Sequence, residues 1–194
     1  MADILEAFAN TASDQISAIK SFYIDQLESE FRNLGSWRQD NIPDWLNTSL
    51  PLVEDAQIAV YDITNAIIDL ELQFLLEGEF SQQYPPIGSV TGSAIRNGAS
   101  PSEVYARVFK PVWQALGRGD TLQNGIDHAI SRLRSMFDLD LERVSDFTSI
   151  ERFANENKIV GYRRVLSGVH NCALCIIAST QMYHKKELKG IHPN

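Results

Sequence analysis

The chain holds two cysteines, Cys172 and Cys175, in a C-x-x-C arrangement, with His170 just before them and His184 and His192 after them. That spacing turns two thiolates to one side of a tight turn, which is half of what a tetrahedral zinc site needs. His192 follows at a separation similar to the gap between ligand pairs in many structural zinc modules. Cys172, Cys175 and His192 are therefore the candidate metal ligands, and zinc the candidate metal, with a fourth ligand missing from the 194 residues. Two other readings stay open. Thioredoxin-like redox chemistry places such a motif at a helix start after a strand, and no βαβ pattern precedes it here. Alternatively, the thiols are small hydrophobes within the apolar run Cys172–Ala178.

Other chemistry is thinly represented. Arg163, Arg164, His170, His184, Lys185, Lys186 and Lys189 make the final segment basic beside Tyr162 and Tyr183, a pattern that suits either a solvated face or contact with an acidic partner. Asp138, Asp140 and Glu142 resemble a carboxylate cluster, but residues two apart on a helix do not share a face, so they read as a solvated helix start. Arg118-Gly119-Asp120 reads as a helix stop followed by the next helix cap. The chain lacks a P-loop, a dinucleotide fingerprint, HExxH and GxSxG, and nothing in it looks catalytic.

The elements that must position these residues are mostly helical. Ile4, Phe8, Ala12, Ile16, Ile19, Tyr23, Leu27 and Phe31 recur at spacings of three and four and predict one long helix, capped near Gly35. Ser49 and Pro51 are expected to open a second, in which Leu52, Ala56, Val60, Ile63, Ile67, Leu70 and Phe74 form a seam. Two long antiparallel helices are the economical arrangement for residues 1–80. Ile58, Ile68, Leu72, Leu75 and Leu76 widen the apolar surface beyond that seam, so something must cover it. Residues 81–100 are rich in Gly and Pro and read as a linker. Ser100-Pro101-Ser102-Glu103 opens a second helical region over 101–158, with a bend at Pro111, a break at Gly117–Gly119, a helix capped by Asp120, and a further helix from Leu139. A small α+β knuckle is expected over 159–194. The fold class is thus mainly α: a long N-terminal hairpin, a second helical region and a Cys/His knuckle.

Composition narrows the classes further. Apolar residues at 44% exclude a disordered chain. A net charge of −8 argues against broad nucleic-acid binding, which needs a basic face. The start, MADILEAF, is acidic where a secretory signal would be basic.

The stretch Gly161–Leu166, then Asn171-Cys-Ala-Leu-Cys175 with Ala178-Ser179, then Tyr183, Leu188 and Ile191-His192-Pro193, resembles the MuF-like minor capsid (head morphogenesis) proteins of tailed phages, the actinobacteriophage type in particular. Val90-Thr91-Gly92, Arg96-Asn97-Gly98, Val104-Tyr105, Pro111-Val112-Trp113 with Leu116, and Asp138–Leu141 fit the same pattern. The likeness covers most of 85–194, whereas 1–80 match only as a helical part. In that family a Cys-x-Cys follows the His-Pro, so the resemblance implies a metal knuckle begun by Cys172, Cys175 and His192 and completed beyond Asn194. It also implies a structural protein of the virion, in the head interior at the portal vertex. Its partners would be the portal protein and the major capsid or scaffold protein, with several copies around the portal. Some family members carry C-terminal enzymatic domains, such as ADP-ribosyltransferase-like ones, and the alternative is that this chain targets such a domain to the virion. The zinc expectation is checked by elemental analysis of reduced protein continued past Asn194. About one zinc per chain is expected, and metal-free protein would reject the site.

Overall fold

The computed structural model describes residues 2–159 and the strand residues 161–162 and 183–184. It is mainly helical. Three long helices dominate, α1 (Ala2–Asn33), α2 (Ile42–Leu75) and α6 (Leu122–Asn155), each roughly 50 Å long at 1.5 Å per residue. α1 and α2 are antiparallel, as expected. The Phe8 and Phe74 rings meet at 6.4 Å near one end, and Phe31 meets Trp45 at 5.2 Å near the other. α6 runs antiparallel to α1, which it joins through Lys20–Glu142 and Arg32–Asp127 ion pairs. It runs parallel to α2, which it meets through Thr64–Ser145 and Asp69–Arg152 hydrogen bonds. Parallel neighbours cannot be joined by a tight turn. Residues 76–121 form the crossover and carry α3 (Ile87–Val90), α4 (Pro101–Ala106) and α5 (Lys110–Gly117).

α2 begins at Ile42 rather than at the expected Ser49, with Pro43 in its first turn, where a missing N–H costs nothing. Pro51 therefore lies inside the helix. It is exposed, and so is Asn47, whose carbonyl loses its helical partner, leaving water free to hydrate that group. Ser49, expected as the cap, is instead fully buried. The expected seam holds through Ala56, Val60 and Ile67, but Leu70 and Phe74 are exposed. Ile68 and Leu72 point to the other side and are buried on the face turned to α6, so the third helix covers part of the surplus apolar surface.

α6 is a single helix where two were expected. Ile126, Ala129, Ile130, Leu133, Phe137, Leu141, Val144, Thr148 and Arg152 continue one buried stripe, and no Gly or Pro interrupts residues 126–155. Pro111 does divide the preceding segment. α4 ends at Ala106, a 3-10 turn spans Arg107–Phe109, and α5 restarts with Pro111 in its first turn. The Ser100 cap forms as expected, its Oγ accepting the Glu103 N–H at 3.2 Å.

The crossover packs against the end of the bundle that holds the C-terminus of α1 and the N-termini of α2 and α6. Phe31 is the hub, with Trp45 and Phe109 rings 5.2 and 5.4 Å away and Trp37 at 6.4 Å. Tyr105, Val108 and Val112 complete that core. α5 lies close enough to α6 that a Cβ on Gly125 would sit 3.0 Å from the Val112 Cα and 3.2 Å from the Ala115 Cβ. Alanine ordinarily favours a helix by roughly 1 kcal/mol over glycine, so contact rather than propensity explains Gly125.

Beyond α6, β1 (Gly161–Tyr162) pairs antiparallel with β2 (Tyr183–His184), Gly161 opposite His184 and Tyr162 opposite Tyr183. The rest of the expected knuckle lies outside the described residues.

Candidate functional site

Cys172, Cys175 and His192 lie outside the described residues, as do Arg163, Arg164, His170, Lys185, Lys186 and Lys189. The β1–β2 ladder does join the two ends of the span that contains the cysteine pair. Among the described residues, no group of three or more His, Cys, Asp or Glu side chains is placed to hold a metal. The described residues instead build two charge networks on α6, one buried and one partly exposed.

The first is centred on Asp140. Arg96, at the end of a 3-10 turn in the crossover, makes an ion pair with Asp140, and both side chains are buried. The Tyr105 hydroxyl donates to the same Asp140 Oδ2 at 2.8 Å. Arg96 Nη1 donates to the Gly92 carbonyl at 2.7 Å, and its guanidinium lies 5.5 Å from the Tyr105 ring centroid. The Gly92 N–H donates to Gln57 Oε1 of α2 at 3.0 Å. Gly92 has a φ of +59°, a conformation that favours glycine. Trp45 Nε1 donates to the Tyr105 carbonyl at 3.1 Å, and Arg143 Nη1 to the Ile95 carbonyl at 3.0 Å. The network thereby ties the crossover to both α2 and α6. Burial, and next the Asp140 charge, push the Tyr105 hydroxyl well above its ordinary range, against the opposing pull of Arg96.

This corrects the reading of Asp138, Asp140 and Glu142 as a solvated helix start. The three lie mid-helix and go different ways: Asp140 is buried on Arg96, Glu142 reaches Lys20 of α1, and Asp138 is exposed. The missed signal is the register, since Asp140 falls between Phe137 and Val144 on the buried stripe. A charged residue at such a position demands a counter-charge.

The second network lies near the C-terminal ends of α2 and α6. Arg152 pairs with Asp69, donates from Nη1 to the Ser81 carbonyl at 3.3 Å, and stacks 4.7 Å from the Tyr84 ring centroid. Tyr84 donates to Asp69 Oδ2 at 2.6 Å, which raises its hydroxyl pKa. Glu156 accepts the Ser81 N–H at 2.7 Å and the Lys158 N–H at 3.0 Å, while Tyr61 donates to the Pro85 carbonyl at 2.7 Å. Burial raises the Tyr61 pKa. These bonds fix the start of the crossover against α2 and α6. Elsewhere, Arg118-Gly119-Asp120 is a helix stop, as expected. The following cap is Thr121 rather than Asp120, its hydroxyl accepting the Asn124 N–H at 3.2 Å.

No protein-family model, no curated protein and no solved structure matches the chain. The networks therefore have to be judged by perturbation. Asp140→Asn leaves a buried guanidinium without its counter-charge and should cost about 3–5 kcal/mol in denaturant unfolding. Tyr105→Phe should cost about 1–2 kcal/mol. Because the fold raises the Tyr105 pKa, its neutral-state contribution is complete below the ordinary value near 10 and is lost as pH climbs through the folded value. Tyr105→Phe should accordingly soften the alkaline loss of stability and leave the neutral range parallel to wild type.

Proposed function

We propose that the chain is a minor capsid, or head morphogenesis, structural protein of a tailed phage, acting inside the head at the portal vertex and assisting assembly. One observation carries this reading. The mid-chain residues that resemble the MuF-like family include a buried set, while Asn97, Gly98, Trp113, Leu116, Asp138 and Leu139 among them are exposed. Val90, Arg96, Tyr105, Val112, Asp140 and Leu141 are all buried, and Gly92, Arg96, Tyr105 and Asp140 belong to one hydrogen-bonded network. The likeness therefore includes residues that hold the crossover to the bundle. The final segment, with Cys172, Cys175 and His192, supplies the rest of the likeness.

In this reading the long helices are a docking element. The last turns of α2 expose Leu70 (45%), Phe74 (37%) and Leu75 (49%) to solvent, with Phe8 half-buried against Phe74. Such a patch on the end of a helical bundle suits an apolar groove on a helical partner, for which the portal protein is the first choice and the major capsid or scaffold protein the second. Several copies would surround the portal. No helix among the described residues is long and apolar enough to cross a membrane. Assembly, rather than turnover of a substrate, is the role proposed.

The test is binding of the chain to purified portal rings. The triple change Leu70→Ser, Phe74→Ser and Leu75→Ser removes exposed apolar surface and should weaken binding at least about tenfold with helical content unchanged. Undiminished binding would rule out this face, and no binding by the wild-type chain would rule out the portal as partner.

A further inference from the structure

Charge on this acidic chain is unevenly spread, and one cleft has the opposite sign to the whole. Between α5 and α6 lies an open cleft of about 260 Å³ lined by Pro111, Gln114, Arg118, His128 and Arg132. Pro111, Gln114 and Arg118 follow one face of α5 at spacings of three and four, and His128 and Arg132 follow one face of α6 at a spacing of four. The close helix approach at Gly125 brings those two faces together. None of the lining residues is acidic. Of the two nearest carboxylates in the sequence, Asp127 is engaged outside the cleft and Asp120 pairs with the lining residue Arg118. Asp127 accepts from Arg32 of α1 at 3.1 Å and from Gln123 at 3.0 Å, and these bonds hold its pKa below the usual carboxylate range. Asp120 meets Arg118 at 3.3 Å in an exposed pair that water screens, so Arg118 is readily released. Arg132 has no hydrogen-bond or ion-pair partner among the described residues.

We propose that this cleft binds phosphate groups. Two guanidinium forks, an imidazole and a carboxamide present more N–H donors and more positive charge than one carboxylate can use. A phosphate, with near-double charge and several acceptor oxygens, matches them. The inference stands independently of the portal reading, because the cleft is formed by α5 and α6 and the apolar docking face by the far end of α2.

Titration calorimetry of pyrophosphate into the full chain tests it. Saturable binding at millimolar concentration is expected, weakened at least about tenfold by Arg118→Ala combined with Arg132→Ala. Both residues are exposed, so the melting temperature should hold, and Arg132→Lys should retain part of the affinity. A short single-stranded oligonucleotide that displaces pyrophosphate would identify the source as a phosphodiester backbone. Failure of the oligonucleotide to compete would identify it as a free or terminal phosphate. Absence of binding, binding untouched by the double change, or equal competition by a polyglutamate peptide would each overturn the phosphate assignment.

Discussion

The buried pair between Arg96 and Asp140 is the interaction on which the rest of the architecture depends. Because α2 and α6 are parallel, the chain must travel back along the bundle through residues 76–121 before α6 can begin. Such a crossover carries only short helices, and something has to hold it to the long helices it connects. Asp140 does so from the middle of α6, accepting from Arg96 and Tyr105, while Gln57 on α2 accepts from Gly92 and Trp45 donates to the Tyr105 carbonyl. Removing a charge pair from water is costly, and an apolar replacement can be as stable. What the ion pair adds is direction: one guanidinium and one carboxylate define where the crossover meets α6.

The bundle is consequently unequal along its length. At the crossover end, Phe31, Trp45, Tyr105, Phe109 and Phe137 are fully buried in one apolar cluster. Toward the other end, α2 and α6 meet through Thr64 with Ser145 and Asp69 with Arg152, and the only fully buried hydrophobic side chains described on α1 are Leu27 and Phe31, both in its last third. The middle of α1 is held by half-buried Ile16, Ile19 and Tyr23 and by the Lys20–Glu142 ion pair, and its N-terminal part meets α2 through Phe8 and Phe74. The crossover end sets the fold, and the other end exposes Leu70, Phe74 and Leu75, the surface the proposed docking would use.

Much of this was legible in the chain. The spacing of three and four through α1 and the middle of α2, the Ser100–Glu103 cap and the stop at Gly117–Gly119 all follow from local rules that tertiary packing did not override. Several failures share one cause, a polar or helix-breaking residue in an unexpected setting, while the expected seam of α2 runs two positions too far, at the exposed Leu70 and Phe74. Pro51 looked like a helix start because a helix-interior proline is costly, yet it sits on the solvent face. Asp140 looked like a surface charge and so hid the continuity of α6. It is the partner of Arg96, a residue distant in sequence, and no local pattern announces such a pairing. The Cys172, Cys175 and His192 site falls outside the described residues, so its legibility rests on spacing and on resemblance alone.

Native-state hydrogen exchange tests the account most directly, because it reads local stability along the same three helices. Amides of residues 105–112 and 126–144 should open only with global unfolding, while those in the first half of α1 should exchange at markedly lower free energy. Uniform protection along α1, or opening of the Asp140 region below the global cost, would contradict the claim that the buried Arg96–Asp140 pair and its aromatic surroundings are what hold this fold.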